Sequence, residues 1–244
     1  MLMATFTPLI GVQNQPAGGW ISHETRWNGG SVQRTGPGTG REDRTALNDI
    51  RIYFIGDSYV NGTGDPAYLG WPGRACAASR SDENAITCYN LGIRGDTSTD
   101  VLRRWEREVE ARRLIPHDGR VVFGFGANDC WIVDGNTRVD RADTIRNTEE
   151  ILSRARSLFP TLMIGPPPGT DADEHGRRVE VSSLVGEIAG RVGVPYLEVI
   201  HELHVGGVWQ SEAVLGDRVH PADGGYSALA ELVLAWSAWW FSSP

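Results

Sequence analysis

The chain has 244 residues, 40% of them hydrophobic and 22% charged, which suits one good-sized α/β domain with room for an appendage. Acidic residues outnumber basic ones, 31 to 23, for a net charge of −8, so a nucleic-acid face is not expected. Every basic residue is Arg, and the lack of Lys excludes a Schiff-base amine, a pyridoxal-phosphate anchor and the lysine of a Walker phosphate loop.

Residues 1–48 hold eight Gly and three Pro, with "AGGW", "WNGG" and "TGPGTGRED" as successive breakers. No helix or strand period survives there. The segment reads as an extended or disordered arm, tethered through Trp20, Ile21 and Trp27, ahead of a folded domain over 49–244. Its start lacks a basic residue before Arg26, so a secretory signal is not expected. Cys76, Cys88 and Cys130 match no zinc or redox spacing and read as reduced thiols of a cytoplasmic protein. No apolar run approaches the ~20 residues that a membrane span requires.

From residue 51 the pattern alternates. "RIYFIG" (51–56), "AITCYNLG" (85–92), "RVVFGFG" (120–126), "TLMIG" (161–165) and "VPYLEVI" (194–200) read as strands, apolar enough for a sheet buried on both faces. Helical periods lie between them. In "TDVLRRWEREVEARRL", Leu102, Trp105 and Val109 share one face, with Arg and Glu opposite. "RADTIRNTEEILSRARSLF", "RVEVSSLVGEIAGRV" and the closing "GYSALAELVLAWSAWWF" follow suit. Such alternation implies right-handed crossovers and a mostly parallel, doubly wound sheet of five strands.

Sites in sheets of this kind form outside the carboxyl ends of the strands. Three glycine-bearing polar turns fall there: Gly56-Asp57-Ser58, the "GDTS" starting at Gly95, and the "GAND" ending at Asp129. Near the C-terminus, Asp217 and His220 are spaced to share one face of a helical turn. A carboxylate on Nδ1 would fix the imidazole tautomer and steady the imidazolium. A serine, a base and an orienter are thereby supplied, with Gly95 N–H and the Asn128 amide available for an oxyanion.

In these blocks, "GDSY" (56–59), "NLGIRGDTS" (90–98), "GAND" (126–129) and "DRVH" (217–220), the chain resembles the GDSL esterases and lipases, or SGNH hydrolases. The resemblance spans roughly residues 50–240 and implies a three-layer, flavodoxin-like α/β fold with strand order 2-1-3-4-5. It further implies Ser58 as nucleophile, His220 as general base and Asp217 as its orienter. The oxyanion hole would comprise the Ser58 N–H, the Gly95 N–H and the Asn128 amide. A serine esterase acting on small-molecule esters, short acyl esters by default, without cofactor or metal, is the expectation. A carbohydrate O-deacetylase, or a binding module that kept the fold and lost turnover, are the alternatives. Tyr59 stands where the family name has Leu and is expected to be structural. Gly92 competes with Gly95 for the oxyanion role, and Gly95 fits the family pattern.

Plainer readings stand beside these. Ser58 would serve as a helix cap and Asp217 as a cap of the last helix. Asp57, Asp96 and Asp129 read as loop hydrogen-bonders. "HELH" (201–204) has i, i+3 spacing where zinc needs i, i+4, and no Gly-x-Ser-x-Gly elbow occurs. In the aromatic tail, Trp240 is the residue expected to be exposed.

Overall fold

A computed structural model describes residues 48–113 and 117–242. The arm expected over residues 1–48, with Trp20, Ile21 and Trp27, lies outside the described residues except for Asn48. That residue already belongs to the first strand.

Five parallel strands form the sheet: β1 (Asn48–Gly56), β2 (Asn84–Gly92), β3 (Asp118–Gly124), β6 (Thr161–Ile164) and β7 (Tyr196–Leu197), in the order β2-β1-β3-β6-β7. A short antiparallel hairpin, β4 (Ile132–Val133) and β5 (Asn136–Thr137), stands apart from it. Alternation along β1 divides the core. Ile50, Ile52 and Phe54 face one layer, and Tyr53 and Ile55 face the other, as a period of two dictates. The first layer holds α2 (Gly70–Ser79) and α8 (Asp223–Ala235), with Trp71, Tyr226 and Leu229 in its core. The second holds α3 (Ser98–Glu110), α4 (Arg141–Leu158) and α5 (Ala172–Val192), with Trp105, Ile151 and Val185. Helices on both faces of a parallel sheet make the three-layer α/β fold.

Several local expectations need correction. β2 is an edge strand, half open to solvent, so it is not buried on both faces. Only Tyr196 and Leu197 of the last apolar run pair with β6. Glu198 then turns the chain by accepting the N–H groups of Ile200 and His201, which starts α6 (Ile200–Gly206). In α3 the buried face is Ser98, Val101, Trp105 and Val109, and Leu102 flanks it. The aromatic tail leaves the helix at Trp236 and folds back in turns. Trp239 is buried there and donates its indole N–H to Ser79 Oγ (2.9 Å). Trp240 is partly buried, with the Arg120 guanidinium 5.3 Å from its ring centroid, so the expected exposure is not found.

Candidate active site

β1, β2 and β3 end in glycine at one level, Gly56 pairing with both Gly92 and Gly124. The coincidence has a steric cause. A methyl group on Gly56 would come within 1.8 Å of Gly124 O, and one on Gly92 within 2.2 Å of Asn61 N. The strands therefore finish in a shelf of bare backbone, and the polar turns begin on it.

Asp57 leads into α1 (Ser58–Asn61), a short helix, and caps it by accepting the Tyr59 N–H (2.9 Å). The cap is thus Asp57, and Ser58 is the first helical residue, with its N–H among those a helix leaves without an intrahelical partner. Ser58 is 5% exposed. Burial raises the Asp57 carboxyl to about 7, against the opposing pull of the Tyr59 N–H and the Arg178 charge.

After β2 the chain turns over Ile93–Asp96, closed by Asp96 N–H to Ile93 O (3.2 Å), with Gly95 at φ +81°. A positive φ at the third position of such a turn selects glycine. The space around Gly95 is open, whereas Gly92 is packed against backbone, and this separates the two glycines. Asn128 Nδ2 donates to Asp96 O (2.9 Å), which fixes the amide beside that turn. Asp129, 1% exposed, accepts from Ser98 N (2.7 Å) and Thr144 Oγ1 (2.9 Å), the loop-binding role expected of it. Burial pushes its carboxyl up, and those hydrogen bonds oppose the rise. Burial likewise raises the Cys130 thiol, to about 11; the thiol lies over Ala127 O.

One residue that sequence reasoning placed on a solvent face joins these turns. Arg104 of α3 donates to Gly56 O (2.8 Å) and Leu91 O (2.9 Å) and pairs with Asp96 (2.6 Å) and Glu108 (3.0 Å). It ties the ends of β1 and β2 to the Gly95 turn. On an amphipathic helix rich in Arg and Glu, nothing local distinguishes it.

Asp217 and His220 lie in a turn rather than a helix, with Arg218 at φ +67°. Asp217 Oδ2 is 2.7 Å from His220 Nδ1, and its Oδ1 accepts the N–H groups of Val219 (2.9 Å) and His220 (2.8 Å). Burial would raise this carboxyl, but those three hydrogen bonds outweigh it and hold it at about 2. The last helix is capped by Glu212, whose carboxylate takes the N–H groups of Ala222, Gly224 and Gly225, so Asp217 is spared that duty. His220 is 8% exposed, and its Nε2 is buried without a hydrogen-bond partner among the described residues.

The turn packs on the chain that follows Ser58. The Tyr59 and His220 ring centroids are 5.3 Å apart, and Tyr59 OH donates to Val219 O (3.1 Å). Gly64, at φ +90°, lies so close that an added methyl would come 3.2 Å from His220 Cβ. All four blocks are therefore joined at one edge of the sheet. Beside them runs a groove of about 640 Å³, lined among others by Trp131, Asp171, Val214, Asp217 and Arg218. In the "HELH" segment, His204 meets Gln210 (2.6 Å) and stacks on His175 at 4.1 Å. Among the described residues no helix is long and apolar enough to cross a membrane.

Known proteins share this arrangement of elements. The chain is 29% identical over 210 residues to the GDSL lipase Rv0518 of Mycobacterium tuberculosis, covering 81% of this chain and 87% of that one. A lipase/acylhydrolase from Enterococcus faecalis superposes with a TM-score of 0.60 at 28% identity, over 75% of this chain and 92% of its own. Axe2, an acetylxylan esterase from Geobacillus stearothermophilus, gives 0.64 at 20% identity, over 77% and 95%, and so speaks to the fold alone. The model of the GDSL-like lipase/acylhydrolase family matches residues 54–228, a stretch that runs from the end of β1 into α8 and takes in all four blocks; the chain belongs to that family and is a carboxylic ester hydrolase.

Proposed function

We propose that the protein is a serine esterase that hydrolyses short-chain acyl esters through an acyl-enzyme on Ser58. The observation that carries this is the state of His220. Its Nδ1 is held by a carboxylate kept ionised, while Nε2 is buried and uncommitted among the described residues. An imidazole so oriented is ready to accept a proton at Nε2. Ser58 Oγ attacks the ester carbonyl carbon, and His220 takes its proton. The carbonyl oxygen becomes negative and is met by the Ser58 and Gly95 N–H groups and by the Asn128 amide. One Asn128 N–H is spent on Asp96 O, which aims the other. Collapse of the tetrahedral intermediate expels the alkoxide, which leaves as the alcohol with the proton from His220. Water, deprotonated by the same imidazole, then releases the carboxylic acid and restores Ser58.

A second reading, carbohydrate O-deacetylase, is favoured by the groove next to Asp217. Trp131 stands 38% exposed at its edge, among Asp171, Glu174 and Arg218. A broad aromatic face beside hydrogen-bonding groups suits a sugar alcohol. The Axe2 fold neighbour is an acetylxylan esterase. Three measurements test these readings. Fluorophosphonate labelling with peptide mapping should modify Ser58, and Ser58→Ala should abolish turnover while leaving a folded chain; labelling elsewhere, or an active mutant, overturns the mechanism. Parallel assay on aryl acetate and on acetylated xylo-oligosaccharide decides between the substrates.

A further inference from the structure

The turn that carries Asp217 and His220 has little regular structure of its own, and Arg218 within it adopts a left-handed conformation that side chains disfavour. Two hydroxyls from elsewhere in the fold hold it. Tyr59 OH donates to Val219 O (3.1 Å), and Thr170 Oγ1 donates to Arg218 O (2.8 Å). These are the two carbonyls immediately before His220. Both hydroxyls lead back to one buried ion pair. Arg178, 2% exposed, donates to Tyr59 OH (2.9 Å), and its guanidinium lies 5.2 Å from the Tyr59 ring centroid. The same guanidinium reaches Pro167 O (3.1 Å), Pro168 O (3.2 Å) and Glu174 Oε1 (2.5 Å). Glu174 Oε2 in turn accepts the Thr170 N–H (3.4 Å).

We propose that Tyr59 and Thr170, anchored on buried Arg178 and Glu174, are positioning residues that set where the His220 imidazole stands relative to Ser58. The proposal rests on the reading of His220 as the general base. Tyr59 is adjacent to Ser58 in the chain, so its hydroxyl couples the nucleophile's helix directly to the carbonyl before the base. A leucine at this position, as in the family's name, would fill similar space but hold nothing. A coupling role is thereby added to the structural one expected of residue 59. Burial pushes the Tyr59 phenol up to about 12, so it remains a donor through the working range of an esterase. His220 Nε2 must meet a hydroxyl oxygen within hydrogen-bond reach, and small misplacements at that distance are costly.

Tyr59→Phe and the pair Thr170→Val and Thr170→Ser test this, scored as kcat per folded molecule on aryl acetate. Tyr59→Phe keeps the ring on His220 and removes only the hydroxyl. It should lower kcat by about 10- to 100-fold, the scale of small misplacements of a catalytic group, with KM changed less than about threefold. Thr170→Val should lower kcat by at least about threefold, and Thr170→Ser, which restores a hydroxyl, should recover most of it. If Tyr59→Phe fails to fold, because Arg178 loses a partner, the Thr170 pair decides alone. Unchanged kcat per folded molecule in Thr170→Val, or a loss that Thr170→Ser does not recover, overturns the proposal. So does a Tyr59→Phe protein that is less stable yet turns over normally. Ser58→Ala and His220→Ala run in parallel keep the two questions apart. If those are inactive while the hydroxyl variants are normal, the positioning role alone falls; if they are active, the general-base reading falls with it.

Discussion

Asn128 offers a direct test of the proposed chemistry, because its structural and catalytic contributions differ in size and are read by different assays. Asn128→Ala removes one hydrogen bond, Nδ2 to Asp96 O at 2.9 Å, in a partly buried setting. A bond of that kind is worth about 0.5–1.5 kcal/mol, so the urea midpoint should fall modestly and the mutant should remain folded at 25 °C. The rate should suffer more. Loss of one oxyanion donor costs roughly 10²–10³ in kcat, or about 2.7–4 kcal/mol. KM should hardly move, since the second N–H matters only once the carbonyl oxygen becomes negative. Asn128→Asp should be at least as slow, for it sets a carboxylate against both Asp96 O and the oxyanion. Asp129→Asn is the counterpart. Its oxygens receive Ser98 N and Thr144 Oγ1, so a buried donor is left unmatched, about 1–3 kcal/mol of stability is lost, and kcat per folded molecule stays within a few-fold. Steady-state kinetics on p-nitrophenyl acetate beside urea unfolding measures all three. Full kcat in Asn128→Ala, or a loss no larger than its unfolding explains, would show that the amide is not aimed at the transition state.

Two further outcomes follow from burial and packing. Asp57 is an acid whose folded value, about 7, lies above its unfolded value of 3.8, so its stabilising share is complete below pH 3.8 and is lost as pH rises through 7. Asp57→Asn keeps a capping oxygen and removes that slope: relative to wild type it should gain up to a few kcal/mol between pH 4 and 8, by urea unfolding at each pH, and a parallel pair of curves refutes the assignment. Gly92→Ala places a methyl 2.2 Å from Asn61 N and 2.7 Å from Asp57 O, both backbone, so it should cost more stability than Gly95→Ala, where only the positive φ opposes a side chain, at about 1–2 kcal/mol. Equal unfolding midpoints for the two would contradict the packing argument.

What the sequence made legible follows the range of the forces involved. β1, β3 and β6 are apolar because both sheet faces are covered, and that writes itself into consecutive residues. β7 is curtailed by the Glu198 carboxylate, a side-chain choice that composition does not reveal. The start of α5 carries a local signal in the sequence. Asp171 accepts the Glu174 N–H at 2.8 Å, and an Asp followed three residues later by Glu is an N-terminal signal. At the site, each block appears as a short local string, and Asp217 and His220 meet as their spacing suggests, although in a turn. Arg104, Tyr59, Arg178 and Glu212 act across 48, 160, 119 and up to 13 residues of chain, respectively. No window of sequence contains both ends of the longest of these contacts, so only the fold displays them.

The glycine shelf at the ends of β1, β2 and β3 has an evolutionary consequence. Because Gly56 and Gly92 abut backbone, no side chain can be added there to reshape the floor on which Ser58 stands. Variation in the substrate preference of the proposed site falls instead to its rim, the groove where Trp131 and Val214 are exposed. Floor and rim are thereby separable under selection. A lineage can exchange rim residues freely and explore new alcohols, while any drift in the floor is removed by its effect on folding before it is ever tested on an ester.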